Sequence, residues 1–181
     1  MTTSEVSWKF EISDPDPAWP AHYEATVAEL RPLLPMVVAF EHVGSTSIPR
    51  MPAVATVDIL AGVHGLATID TTVIGAIVAT GWEHRPDVEA LIPHRRFFNR
   101  PVGSEFRTTR THHLHIVELD SREWRDPIAF RDFLRHHDDA ARRYLELKRS
   151  LARCEYENPS DYSARKKGFV ASILLAARHA S

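Results

Sequence analysis

Cysteine is almost absent: Cys154 stands alone in 181 residues. No disulfide can form within the chain, and a reducing compartment, the cytoplasm, is expected. Charge of one sign is not in excess either, since 22 Lys and Arg face 24 Asp and Glu for a net charge of −2. That excludes a whole-molecule attraction to nucleic acid or to an anionic membrane, although a local basic patch is compatible with it. No apolar run approaches the ~18 residues of a membrane-spanning helix. Met1 to Glu5 carries neither the cationic nor the apolar stretch of a secretion signal. Internal repeats and low-complexity segments are also missing. What is present is 44% apolar residues, enough to build the core of one compact domain over 1–181.

The most informative stretch is FEHVGSTSIPRMPAVATVDILAGV, residues 40–63. A buried strand over 36–43 leaves through Glu41, His42 and Val43 into the turn Gly44-Ser45-Thr46-Ser47. A second apolar strand, 55–63, follows and carries one acid, Asp58. A carboxylate among Val57, Ile59 and Leu60 costs several kcal/mol to desolvate unless something pairs with it, so a metal, a cation or a ligand is expected beside it. Gly44 lets backbone approach a ligand closely, and the hydroxyls and N–H groups of Ser45, Thr46 and Ser47 suit phosphate. His42, two residues before the turn, is a further candidate.

Around this unit the pattern predicts an edge strand at Trp8–Ile12 and a helix from Pro20 with Tyr23, Val27, Leu30 and Leu34 inward. A helix over 66–81 should cover the sheet, and 82–85 with 95–100 should form a strand pair around a proline-containing loop. A last strand is expected over 111–119. Arg95, Arg96, Arg100, Arg107 and Arg110 form a basic band against the single acid Glu105. From Asp126-Pro127 onward the spacing turns helical, with a break at His136-His137, a helix to about Cys154 and a last one capped at Pro159-Ser160. His136-His137 reads as that break rather than a metal pair, and Cys154 as a small packed residue. Strands first and helices last predict an α+β domain, not a regularly alternating parallel sheet.

The runs EHVGSTSIP, VDILAGV, THHLHIVE, FRDFL, YLELK and YSARKKGFV resemble the GrpB family, a group placed within the nucleotidyltransferase superfold. The resemblance implies a small mixed sheet flanked by helices. In active members of that superfold the Gly-Ser turn holds a nucleoside triphosphate, and an acid-x-acid pair binds Mg²⁺. Carried over, Gly44 and Ser45 match the phosphate turn and Asp58 matches one acid of the pair. Strand residues two apart share a face, so the second acid is expected at 56 or 60, where Thr56 and Leu60 stand. His113 and His115 share a face on the later strand and are candidate ligands or acid/base groups. The pattern implies glycine at Arg50 and Lys-Pro at Val54-Ala55. The lost lysine would be a phosphate contact for which Arg50 is a candidate replacement. Lys148 and Lys166 match helical lysines of the family, and with Arg110 they are candidate phosphate contacts.

The function these residues imply is that of a metal-dependent nucleotidyltransferase-like transferase. It would bind a nucleoside triphosphate and a divalent metal, Mg²⁺ or Mn²⁺, with zinc admitted by the histidines, and act on a small-molecule acceptor. The competing readings are a binding module with reduced catalysis and the same scaffold reused for other metal-assisted chemistry in a biosynthetic pathway.

Overall fold

The structure is a computed structural model and describes residues 9–101, 111–157 and 159–180. Five strands are found among them, β1 (Ala39–Val43), β2 (Val57–Val63), β3 (Glu83–His84), β4 (Arg95–Arg100) and β5 (His112–Glu118). They form one sheet in the order β1-β2-β5-β4-β3. Only β2 and β5 run parallel, and the other pairs are antiparallel. The sheet is therefore mixed, as expected. The helices are α1 (Trp19–Leu30), α2 (Thr71–Val78), α3 (Pro86–Leu91), α4 (Arg122–His136), α5 (Asp138–Ala152) and α6 (Pro159–Ala180).

Alternation along β2 separates two environments. Val57, Ile59, Ala61 and Val63 join Leu114, Ile116 and Phe98 in the main core, under the apolar sides of α1 and α2. Burying each large aliphatic side chain there stabilises by roughly 1.5–3 kcal/mol. Asp58, Leu60 and Gly62 point the other way. On that second face Val43, Leu60 and Val117 pack under Trp124 and Ile128 of α4. Gly62 is required at this spot, because a Cβ there would run into Leu119 and the Trp124 ring. The second face is thus covered by helices of the C-terminal third, and it carries the acid.

Four expectations are corrected. The helix expected over 66–81 is a separate turn at Leu66–Thr68 followed by α2, which Asp70 caps at Thr71. Trp8–Ile12 does not pair as an edge strand over its described residues. The only ladder contact nearby is a single bridge between Ser13 and Ala53, and Phe10 instead stacks on Tyr162 at 4.0 Å between ring centroids. The first strand of the site starts at Ala39, not Met36, and Val38 is exposed. Helix α4 begins at Arg122, not at Asp126-Pro127. Ser121 caps it by accepting from the Trp124 amide at 3.1 Å, and Pro127 lies inside the helix. The break after His136 and the spans of α5 and α6 follow the expected pattern.

Candidate functional site

Parallel pairing of β2 with β5 sets Asp58 beside His113 and Leu60 beside His115. Neighbouring residues in register share a face, so both imidazoles stand over the lone carboxylate. His113 donates from Nδ1 to Asp58 Oδ1 at 2.9 Å, and His115 Nε2 lies 3.8 Å from the same oxygen. Burial alone would raise the Asp58 carboxyl. The hydrogen bonds and charge of the two histidines outweigh it and hold the group well below the usual carboxylate range. One ligand atom from each of the three residues falls within 4.8 Å of the others.

Arg95 fixes the His115 tautomer. A guanidinium can only donate, so the 3.0 Å contact from Arg95 Nη1 makes His115 Nδ1 an acceptor and leaves the proton on Nε2, toward Asp58. Burial is the main cause that lowers the His115 imidazole to about 4, despite the pull of Asp58 in the other direction. The ring is neutral at pH 7. An ion held by His115 Nε2 would shift that proton to Nδ1, and Arg95 would have to release it.

The turn lies directly against the acid. Gly44 has φ 71, and a Cβ on it would overlap Asp58 Oδ2. Both the backbone conformation and the carboxylate thus demand glycine. The next three hydroxyls divide their work. Ser45 faces Tyr144 of α5 and partly offsets the rise that burial gives the Tyr144 hydroxyl. Thr46 donates to the Thr56 carbonyl and accepts from His42 Nε2, both at 3.1 Å, while Ser47 donates to the Gly44 carbonyl at 2.6 Å. Thr46 and Ser47 are buried and hold the turn rather than facing the open space.

Three cations from the C-terminal helices grip the same segment by its carbonyls. Arg131 Nη1 donates to His42 O at 2.8 Å and to Glu41 Oε2 at 2.6 Å. Arg135 donates to Ser47 O through Nε at 3.1 Å and Nη2 at 2.7 Å. Lys148 Nζ reaches Pro52 O at 2.5 Å. Each charge-assisted bond is stronger than a neutral one, so the turn is held rigidly from outside. Neither Arg131 nor Arg135 stands out in the sequence, although their i, i+4 spacing puts both on one side of α4.

Above Asp58 opens a cavity of about 1040 Å³ between the sheet and α4 and α6. Its polar lining includes Gly44, Asp58, His115, Arg95 and Lys166, so the structure brings these together. Burial lowers the Lys166 ammonium to about 8, with Asp58 opposing the shift. Lys148 is elsewhere. It is buried at 2% exposure, and its contact with Pro52 makes it a holder of the turn. Arg50 is exposed in left-handed backbone at φ 60, the conformation glycine takes freely, and lines a separate hollow of about 280 Å³. His42 lies on the opposite sheet face, stacked on Tyr23 at 4.9 Å. Arg107 and Arg110 lie outside the described residues.

The family model described as GrpB protein matches residues 9–175. The chain belongs to the GrpB family. A UPF0157 protein of Pseudomonas aeruginosa is 32% identical over 94% of this chain and 70% of its own length. The glutamate-rich protein GrpB of Alkalihalophilus pseudofirmus is 32% identical over 72% of this chain and 74% of its own. The crystal structure of the conserved protein GrpB from Enterococcus faecalis superimposes with a TM-score of 0.79 at 28% identity, over 92% of this chain and 96% of that one. This GrpB-family fold therefore extends over nearly all of the chain, helical third included. Among the described residues no helix is long and apolar enough to cross a membrane.

The donor set of the site is one carboxylate and two imidazoles. Thr56 and Leu60 supply no second acid, and Leu60 is buried among apolar neighbours. Mg²⁺ prefers a shell of oxygens, whereas manganese, iron and zinc accept imidazole readily. The residues fit a borderline divalent ion better than magnesium.

Proposed function

We propose that this GrpB-family chain binds a nucleoside triphosphate with a divalent metal and transfers a nucleotidyl group to a small-molecule acceptor. The observation that carries this reading is the convergence of Asp58, His113 and His115 at the Gly44 turn, where Asp58, His115, Arg95 and Lys166 line one cavity. Asp58, His113 and His115 would hold the ion, manganese or zinc rather than magnesium. When bound, the ion would neutralise phosphate charge and stabilise the charge that builds up during transfer. Gly44 lets the Asp58 carboxylate stand against bare backbone at the cavity wall, and Lys166 supplies a point charge to the polyphosphate. The carbonyl grips of Arg131, Arg135 and Lys148 keep the turn in place before the ligand arrives, which limits the ordering needed on binding. Transfer would join the acceptor to the α-phosphorus and release pyrophosphate. The work is placed in the cytoplasm, where nucleoside triphosphates are available.

A second reading is favoured by Leu60 and Thr56, which leave Asp58 as the only acid on its strand face. A site with one carboxylate suits a module that binds a phosphate ligand without converting it.

The test is a thermal-shift grid of four nucleoside triphosphates against Mg²⁺, Mn²⁺ and Zn²⁺, on wild type and Asp58→Asn. Ligand at ~100 Kd stabilises by about 2.7 kcal/mol. The expected result is stabilisation that needs metal and triphosphate together and disappears in Asp58→Asn. Equal stabilisation of both proteins would defeat the proposal. Saturable binding without pyrophosphate release would leave the second reading standing in its place.

A further inference from the structure

Arg95 has no carboxylate partner among the described ion pairs, and its Nε is buried without any hydrogen-bond acceptor. A half-buried guanidinium with an unanswered N–H is costly unless an anion meets it. Nη1 is engaged by His115. Nη2 is left to meet an anion from the cavity, which Arg95 lines.

The same cavity has an apolar end. Leu91 is 77% exposed, Ile92 43% and Leu175 58%, and all three line it. They are three of the five large apolar side chains that stand exposed among the described residues. Phe130, Val170 and Leu174 continue that wall inward. Small-molecule sites combine a mostly apolar lining with a few convergent polar groups, and a volume of about 1040 Å³ exceeds the needs of a polyphosphate alone.

We propose that the cavity binds a small amphiphilic carboxylate, its head group on Arg95 and its aliphatic or aromatic body against Leu91, Ile92 and Leu175. Its role as the acceptor rests on the transferase reading above, but its binding does not. Arg95 and Lys166 on one part of the wall and the apolar side chains on another match the two ends of such a molecule. A second copy of the chain packed on the rim would leave Arg95 without an anion.

Calorimetric titration of the full chain with decanoate, acetate and decanol, below micellar concentrations and with chelator in place of metal and nucleotide, tests this. Decanoate is expected to bind saturably and at least 100-fold more tightly than acetate. Arg95→Met is expected to weaken decanoate at least tenfold and leave decanol unchanged. Arg95→Lys, which keeps the charge but loses the fork, should also lose most of the affinity. Leu91→Ser with Leu175→Ser should weaken decanoate and spare acetate. Equal affinity for decanoate and acetate, or wild-type affinity in both Arg95 variants, overturns the proposal. So does a rim variant that changes the sedimenting mass without touching decanoate binding, or a chain that sediments with anionic vesicles while ignoring dissolved decanoate. Metal-dependent triphosphate binding with no decanoate binding would sink this inference alone; the reverse result would sink the transferase reading alone.

Discussion

Between pH 7 and pH 5 the protein is expected to lose on the order of 5 kcal/mol of stability, enough to unfold a domain of ordinary stability. Burial is the leading cause that lowers His42, His112 and His115 to about 4 each. Their unfolded counterparts titrate near 6.5. In that window the unfolded chain binds more protons than the folded one, so stability falls as pH falls. Each ring contributes about 1.8 kcal/mol of the loss between pH 7 and 5. His42 is wedged between Tyr23 and Thr46, and His112 Nε2 is buried without a partner, so neither ring has an anion against it to accept protonation. Asp58 works in the same direction at lower pH. Its carboxyl is depressed by the two histidines, so its stabilising effect, present above the ordinary carboxylate range, is lost only as strong acid protonates it. Denaturant titrations at half-unit pH steps would show the fall. In His42→Phe, which keeps the stacked shape but cannot protonate, about a third of the slope should vanish. Stability that is flat from pH 7 to pH 5 would contradict the buried-neutral assignment.

Gly44→Ala is expected to destabilise by about 3–4 kcal/mol, or roughly 10 °C in Tm for a chain of this size. Backbone near φ 71 and ψ −174 is open essentially to glycine alone, and other residues lose about 1–3 kcal/mol there. The added methyl also strikes the Asp58 carboxylate, which cannot withdraw without breaking its bond to His113. Two comparisons isolate these causes. Gly75→Ala lies in α2 with open space around its Cβ, and should be neutral or stabilising by up to ~1 kcal/mol. In an Asp58→Ala background the clash is gone, so Gly44→Ala should cost only its backbone part, measurable as a coupling energy. Full additivity of the two substitutions would mean that the turn and the acid do not touch.

Much of the sheet could be read from the sequence because its two faces obey period two. Asp58 interrupts Val57, Ile59 and Leu60, and His113 with His115 alternates against Leu114 and Ile116, so the chemistry-bearing face separates from the core face in the sequence itself. Gly44 was legible for the same reason, as a glycine between two apolar runs. What escaped lies in long-range pairing. Arg95 was one of five arginines in a basic band, and only the β4–β5 register, which sets Arg95 by Val117 and Phe97 by His115, singles it out. Lys148 carries a charge and sits at helical spacing, which reads as a reach toward phosphate; burial against Pro52 and Tyr144 decides otherwise. Trp8–Ile12 alternates like a strand, yet Phe10 finds more apolar contact on Tyr156 and Tyr162 than an edge would give it. The start of α4 was hidden because Arg122, Glu123 and Arg125 look like a polar loop, while the cap at Ser121 and the packing of Trp124 over Gly62 make it helix.

The central claim is that a divalent ion and a polyphosphate meet at Asp58 under the Gly44 turn. Crystals soaked with Mn²⁺ and tripolyphosphate, a probe that assumes no base, test it most directly through the anomalous signal of manganese. The account predicts a manganese peak bonded to Asp58 and at least one of His113 and His115, with phosphate density against Gly44 and Ser45 and none of either in Asp58→Asn. A crystal saturated with both, showing the Asp58–His113 hydrogen bond intact and no manganese there, would contradict it.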